Sequence, residues 1–255
     1  MHVGGGDIDD LVADLRSGKL TGRPEADFIL LLQEAYRDGD VPSSLQVAWA
    51  AAIRPLPLHR ERVDISNAAK RLGLWAIYVP SMRNGEPGAT SEDRGNAILA
   101  TRALDDVTAI ELPLERQRRV AIAATAPVSV NGGAAKSLRI VNTHFTNMVM
   151  HHLWILSESG RLRQARALVT ALPQDGPLVV GGDFNAWFGF RDAAYRELAG
   201  RMGPPTKQDR RATFGPLRLD HMLFRLPDGW RSDLRRANSK YGSDHYPLIA
   251  TIDAR

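Results

Sequence analysis

The sequence predicts an α/β fold in a single domain, and three observations predict it. Short apolar, β-rich runs alternate with stretches of helical period along the whole chain. Several of those runs stop abruptly at polar side chains, and ligands of α/β sheets gather beyond strand ends. The 255 residues contain no repeat, low-complexity tract or linker, so residues 1–255 are expected to form one unit around a substantial core.

Composition narrows the function classes. The absence of cysteine excludes a disulfide framework, a thiol nucleophile and a cysteine zinc site. No apolar run approaches the ~20 residues of a membrane span, and Met1–Gly6 lacks the basic and apolar regions of a signal peptide. The net charge of +4 is carried mostly by arginine, whose planar fork pairs with phosphate oxygens, so a phosphate-bearing partner is favoured. A solvated surface would show the same excess.

Taken in order, Asp7–Arg16 has Ile8, Leu11, Val12 and Leu15 at helical spacing behind acidic residues and reads as a surface helix. Asp27–Gln33 reads as a buried strand that delivers Glu34 at its C-terminal end, where a carboxylate suits a metal; a solvated helix-starting Glu is the other reading. Ser43–Ile53 reads as a helix, and His59, with no second histidine at ligand spacing, as surface. Asp64–Leu72 reads as a helix capped by Asp64 or Ser66 and stopped by Gly73. A strand over Leu74–Val79 precedes a polar loop over Pro80–Glu92. The runs Asn96–Thr101 and Val107–Leu112 follow.

Arg118–Ala126 and Leu138–His144 read as a hairpin around Asn131-Gly132-Gly133, the second strand ending in Asn142-Thr143-His144. A lone His144 at a strand terminus also fits a satisfied structural residue. The adjacent His151 and His152 cannot share one helix face as a metal pair would, and read as peripheral. Met148–Leu156, with Trp154, reads as core, the alternative being an apolar lip of the site. Ser159–Leu172 is an amphipathic helix with Arg161, Arg163 and Arg166 on its wet side.

The stretch Pro177–Asn185 is the centre of the chain. Leu178, Val179 and Val180 form a strand buried on both faces, and Gly181 and Gly182 let another backbone approach closely. Asp183 and Asn185 follow, two residues apart, with Phe184 turned the other way. A carboxylate and a carboxamide placed so can hold a water beside a phosphate; taken alone the stretch also fits an Asx turn. Asp192–Ala199 reads as a short helix and Gly203–Arg211 as a basic loop. Leu219–Arg225 reads as a strand with Asp220 near its start, and Ser243-Asp244-His245 precede a last strand over Tyr246–Ile252.

Six motifs in this order carry a resemblance: Gln33-Glu34, Gly95–Leu99, Asn142-Thr143-His144, Gly182–Asn185, Leu219-Asp220-His221 and Ser243-Asp244-His245. Together they resemble the endonuclease/exonuclease/phosphatase superfamily, the DNase I-like metal-dependent phosphodiesterases. The resemblance implies a four-layer α/β sandwich, two packed mixed β-sheets flanked by helices. It implies that Glu34 binds Mg²⁺ or Mn²⁺ and that Asp244 completes the metal environment. Asp183 would be a base or further metal ligand, and Asn185 would orient phosphate or water. His245 would bond the scissile phosphate or act as general base, held by Asp220, while His144 would contact a non-bridging phosphate oxygen. Which of Asp183 and His245 takes the water's proton is left open.

The implied activity is metal-dependent hydrolysis of a phosphate ester, a phosphodiester of nucleic acid or of a phospholipid headgroup before a monoester. A non-catalytic phosphate- or nucleic-acid-binding module that keeps the fold is the alternative. Two departures from the family stand out. The Tyr-x-Pro-Asn element of abasic-site endonucleases is missing between His144 and Asp183. The first core strand, which ends in Asn, is also missing, and it is expected to be encoded upstream of Met1.

Overall fold

Residues of alternate parity along the apolar runs face opposite ways, so each central strand feeds two cores at once. The computed structural model of the chain describes residues 1–38, 53–54, 62–84, 93–115, 117–128, 136–147, 158–203 and 205–254. The expected helix over Ser43–Ile53 lies largely outside them, as do His59, the Asn131–Gly133 turn, His151, His152 and Trp154.

One mixed sheet has the order β1 (Ile29–Arg37), β4 (Asp93–Ala100), β3 (Trp75–Asn84), β2 (Ile53–Arg54). The second has the order β10 (Asp220–Arg225), β8 (Leu178–Asp183), β7 (Lys136–His144), β6 (Val120–Val128), β5 (Asp105–Glu111). A three-stranded sheet of β12 (Leu248–Asp253), β11 (Arg231–Arg236) and β9 (Lys207–Gln208) stands beside them. Helices α1 (Ile8–Arg16) and α2 (Ile65–Leu72) pack on the first sheet through Val12, Leu15, Ile65 and Ala68 against Leu30, Leu32 and Leu99. Helices α3 (Glu158–Ala171) and α4 (Ala193–Ala199) pack on the second through Ala165, Leu168 and Leu198 against Leu178 and Val180. Between the sheets lie Ile98, Val120 and Ile122, with Ile29 and Leu31 against them. The four-layer α/β sandwich expected from the motifs is the fold observed.

Of the two candidates for capping α2, Asp64 does so and Gly73 stops the helix as expected, while Asp7 caps α1. Asp7 and Asp64 accept the Asp10 and Asn67 amides at 2.9 and 2.7 Å, and Gly73 ends α2 at φ 65°. Three readings need correction. The strand expected to stop at Gln33 runs on to Arg37 through a bulge: Leu32 pairs with Ala97 and Ala35 with Gly95, so Gln33 and Glu34 together oppose Asn96. Glu34 therefore sits inside a strand, at φ 51°, and not at its end. The strand expected to stop at Val79 likewise continues to Asn84 through an irregularity at Pro80/Met82. Arg161, expected in water, is fully buried and bonded to the equally buried Asp192, with Nη2 2.6 Å from Oδ2. Arg163 and Arg166 do face solvent, paired with Glu115 and Glu197.

Buried amides clip the two large sheets together. The Asn142 Nδ2 donates to the carbonyls of Leu32 and Ala97, both at 2.9 Å, and its Oδ1 accepts from Gln33 Nε2 at 2.6 Å. Asn96 Nδ2 donates to the Val120 carbonyl at 2.6 Å. An unpaired amide between apolar sheets would cost a few kcal/mol, so these bonds hold the sheets in one register and fix where their strand ends meet.

Among the described strands β1 has β4 as its one partner strand, β10 has β8 and β12 has β11, with single bridges from Tyr36 to Asp64 and from Phe224 to Gly203 besides. A groove of about 400 Å³ runs between these edges past Leu31, Met222, Ala250 and Ile252, and its lining continues to Asp220 and His245. Met1 also lines it; the strand expected ahead of Met1 falls outside residues 1–255. Among the described residues no helix is long and apolar enough to cross a membrane.

Candidate active site

Strand register brings the polar ends together. Parallel pairing of β7 and β8 sets His144 opposite Asp183, and antiparallel pairing of β8 and β10 sets Asp220 opposite Asp183. Three of the side chains singled out in the sequence thus occupy one row across three adjacent strands. Gly182 makes the spacing possible: a Cβ there would lie 1.9 Å from the Thr143 carbonyl oxygen, and its φ is 144°.

Just past the strand, Asn185 takes φ 46°, and its amide donates to Asp183 Oδ1 at 2.8 Å. The Asx turn and the site are the same structure, because the turn aims the carboxylate. Asn185 Nδ2 is tied to the Phe145 carbonyl at 2.9 Å, and its remaining donor and its oxygen can serve a ligand. Phe184 turns inward as expected, fully buried against Phe145 and His221.

His245 arrives from the loop before β12. Its Nδ1 lies 2.7 Å from Asp220 Oδ2, and its ring rests on Phe214 with centroids 4.8 Å apart. The buried Thr213 aligns this corner, its hydroxyl accepting the amides of Leu219 and Asp220 and its carbonyl that of Tyr246. Burial opposes a charge on His245, but the bond to Asp220 and the charges of Asp220, Asp183 and Asp244 outweigh it, raising its pKa to about 9.

His144 has the opposite surroundings. Its Nε2 lies 3.4 Å from Asp183 Oδ2, and its Nδ1 is 3.1 Å from Nη1 of Arg119, a residue only 2% exposed. Burial, then the charges of Arg119 and His245, hold its proton affinity well below the ordinary histidine range. Asp183 itself, desolvated and facing Asp220, is pushed up to about 7 although His245 and the Asn185 amide oppose the rise.

Among the described residues, Asp183, Asp220 and His245 are the group able to hold a metal together, their donor atoms lying within 4.8 Å of one another. Glu34 and Asp244, the ligands expected from the motifs, are not in that trio. Glu34 sits half-buried in the β1 bulge, and Asp244 Oδ2 lies 2.9 Å from Nδ1 of His2. Arg119 and the Gln117 that holds it carry no signature of their own in the sequence, standing in the run Gln117-Arg118-Arg119. The usable signal was position: Arg119 directly precedes the fully apolar start of β6, the neighbour of the His144 strand.

A four-layer sandwich with acids and imidazoles gathered at the ends of adjacent strands defines a phosphoesterase-type fold. The Endonuclease/Exonuclease/phosphatase family model matches residues 3–245, and the chain belongs to that family. An endonuclease/exonuclease/phosphatase from Beutenbergia cavernae superposes with a TM-score of 0.66 at 15% identity, covering 99% of this chain and 69% of that one. A family protein from Leptotrichia buccalis gives a TM-score of 0.60 at 12% identity, covering 97% and 94%. At such identities the likeness is one of fold. In sequence, a UPF0294 protein of Vibrio parahaemolyticus is 30% identical over 122 residues, 46% of this chain but only 40% of that protein's length.

Proposed function

We propose that the chain is a divalent-metal-dependent phosphodiesterase that cleaves a P–O bond by in-line attack of water. The observation that supports this reading is the row His144–Asp183–Asp220 completed by His245, with donor atoms of the last three within 4.8 Å. A non-catalytic binding module needs no such paired acid and base.

The donor chemistry fits Mg²⁺ or Mn²⁺, which take hard oxygen ligands. Following the family resemblance, Glu34 and Asp244 are the carboxylates we assign to hold the ion, with Asp183 as a further ligand; Asp220 stays with His245. When bound, the ion supplies charge neutralisation at the phosphoryl oxygens.

The chain's own groups divide the remaining work. Asp183 takes the proton of the attacking water, its carboxylate aimed by the Asn185 amide. Asn185 orients the water or the phosphate with the carboxamide atoms left after its bond to Phe145. His245, cationic at neutral pH and held at Nδ1 by Asp220, offers its Nε2–H to the phosphate or the leaving oxygen. His144 offers a hydrogen bond to a non-bridging oxygen. The phosphodiester is that of a nucleic acid or a phospholipid headgroup.

The test is hydrolysis of supercoiled DNA, RNA, sphingomyelin and a nitrophenyl phosphodiester with Mg²⁺, Mn²⁺ or EDTA. Turnover of at least one diester that EDTA abolishes is expected, and Glu34→Gln should weaken Mg²⁺ binding by calorimetry. Should a nucleic acid be the substrate, its affinity will fall steeply with salt as counterions are released. No turnover of any substrate by folded protein would overturn the enzyme reading in favour of a binding module.

A further inference from the structure

The Arg119 guanidinium cannot accept a hydrogen bond and does not lose its proton in a protein. Its Nη1 lies 3.1 Å from Nδ1 of His144, so that ring nitrogen must be the acceptor. The proton of the neutral imidazole is thereby placed on Nε2, the nitrogen 3.4 Å from Asp183 Oδ2. Arg119 is held in turn by its second amino group, which donates to Gln117 Oε1 at 2.7 Å, and Arg119 and Gln117 are each only 2% exposed. The Leu112 amide fixes the backbone by donating to the Arg119 carbonyl at 3.0 Å. The neighbouring Arg118 points elsewhere, to Glu111 and the Pro80 carbonyl. The pair Gln117–Arg119 is therefore a buried bracket set against one nitrogen of one ring.

We propose that Arg119 is a positioning residue of the active centre: by donating to Nδ1 it locks His144 in the Nε2–H tautomer, making the ring a fixed hydrogen-bond donor to Asp183 and to a substrate phosphoryl oxygen. A ring without this partner can populate the other tautomer and turn an acceptor lone pair toward an anionic substrate, a repulsive arrangement. The guanidinium also polarises the imidazole from behind, which strengthens the bond that Nε2–H donates. The role at the substrate rests on the phosphodiesterase reading; the tautomer lock does not.

The experiment separates the two. Long-range ¹H–¹⁵N NMR of the full chain reads the protonation of each His144 nitrogen directly, whatever the activity. The wild type is expected to show a protonated Nε2 and a bare Nδ1 at neutral pH. Arg119→Met, which keeps the buried stem but removes the donor, is expected to give a mixture of tautomers. Arg119→Lys, which restores a cationic donor, should recover part of the lock. In turnover, Arg119→Met should lower kcat roughly 10–100-fold, as loss of a partner that orients an imidazole does, with KM changing far less. A wild-type His144 protonated on Nδ1 overturns the proposal even if Arg119→Met fails to fold. An unchanged tautomer in a folded Arg119→Met protein overturns it as well. If the lock is present and no diester is hydrolysed, the enzyme reading and the role at the substrate fall, and the tautomer lock stands.

Discussion

His144 and His245 flank the same carboxylate and are the same side chain, yet their surroundings drive them in opposite directions. His245 has Asp220 at Nδ1, so its Nδ1 must donate and the ring is held as a cation to about pH 9. His144 has Arg119 at Nδ1, so its Nδ1 must accept and the ring is held neutral. At the Nε2 side, one ring brings a positive charge and the other only a dipole. Burial opposes the charge on both rings, and the partner at the far nitrogen adds to that at His144 and overcomes it at His245. Between them Asp183, its pKa raised to about 7 by burial and Asp220, is the group whose proton can move near neutrality.

The sharpest way to break this division of labour is to remove the proton acceptor. Asp183→Asn keeps the acceptor for the Asn185 amide and the shape of the row, so the fold should survive. Turnover should fall by roughly 10²–10⁴-fold, the usual worth of a general base. In metal-free protein above pH 7 the melting temperature should hold or rise, because the substitution deletes a desolvated carboxylate facing Asp220. Activity within tenfold of wild type would transfer the base role to His245.

Next in size is the Asp220–His245 pair. If Asp220 acts only through His245, then Asp220→Asn, His245→Ala and the double variant should each lose about 100-fold or more in kcat and resemble one another, since residues that act as a unit are non-additive. Losses that multiply in the double variant would mean that Asp220 also has a role of its own.

The comparison also makes a stability prediction for metal-free protein, with a definite sign. His245 has its pKa raised from 6.5 to about 9, so its contribution is fully present below pH 6.5 and is lost as pH rises through 9. Asp183, raised from 3.8 to about 7, acts in the same sense at lower pH. His144, lowered, contributes above its ordinary pKa of 6.5 and loses that contribution as pH falls below it. Melting temperature should therefore drop between about pH 6.5 and 9. The His245 share is about 3 kcal/mol on this linkage, and Asp220→Asn should remove most of it. Saturating Mg²⁺ should flatten the Asp183 share, because a cation nearby favours the ionised carboxylate.

The strand ends were legible because composition marks them: an apolar run that stops at Gly-Gly-Asp or Asn-Thr-His shows both the strand and the polar cap. The fold order and the Asp220–His245 pairing came with the family resemblance, and they are met at 2.7 Å. Partners set by tertiary contact alone stayed hidden. Helical period puts Arg161 on the wet face, and its ion pair with Asp192, 31 residues on, is a tertiary contact that period cannot show. The Glu34 bulge depends on β4 offering one residue against two. Strand β11, Arg-Ser-Asp-Leu-Arg-Arg, was unread because its charges mask the alternation by which Ser232 and Leu234 turn inward. Arg119 was one cation in a basic run until the β6–β7 pairing set it against His144.

A third histidine calibrates the other two, and it carries the smallest expected effect. His2 Nδ1 lies 2.9 Å from Asp244 Oδ2, almost as close as His245 to Asp220, so distance alone would rank the two pairs together. Exposure separates them: the His2 and Asp244 side chains are 32% and 38% accessible, against 22% and 14% for His245 and Asp220. Water screens a half-open pair, and such pairs contribute about 0–1 kcal/mol. His2→Ala should therefore shift the melting temperature by no more than roughly 2–4 °C. It should also leave the His245 titration near pH 9, since Asp220 supplies most of that shift. A large drop in the His245 midpoint on His2→Ala would mean that the two rings share one charge network through Asp244. The contrast between His144 and His245 would then belong to that network, and not to the single partner behind each ring.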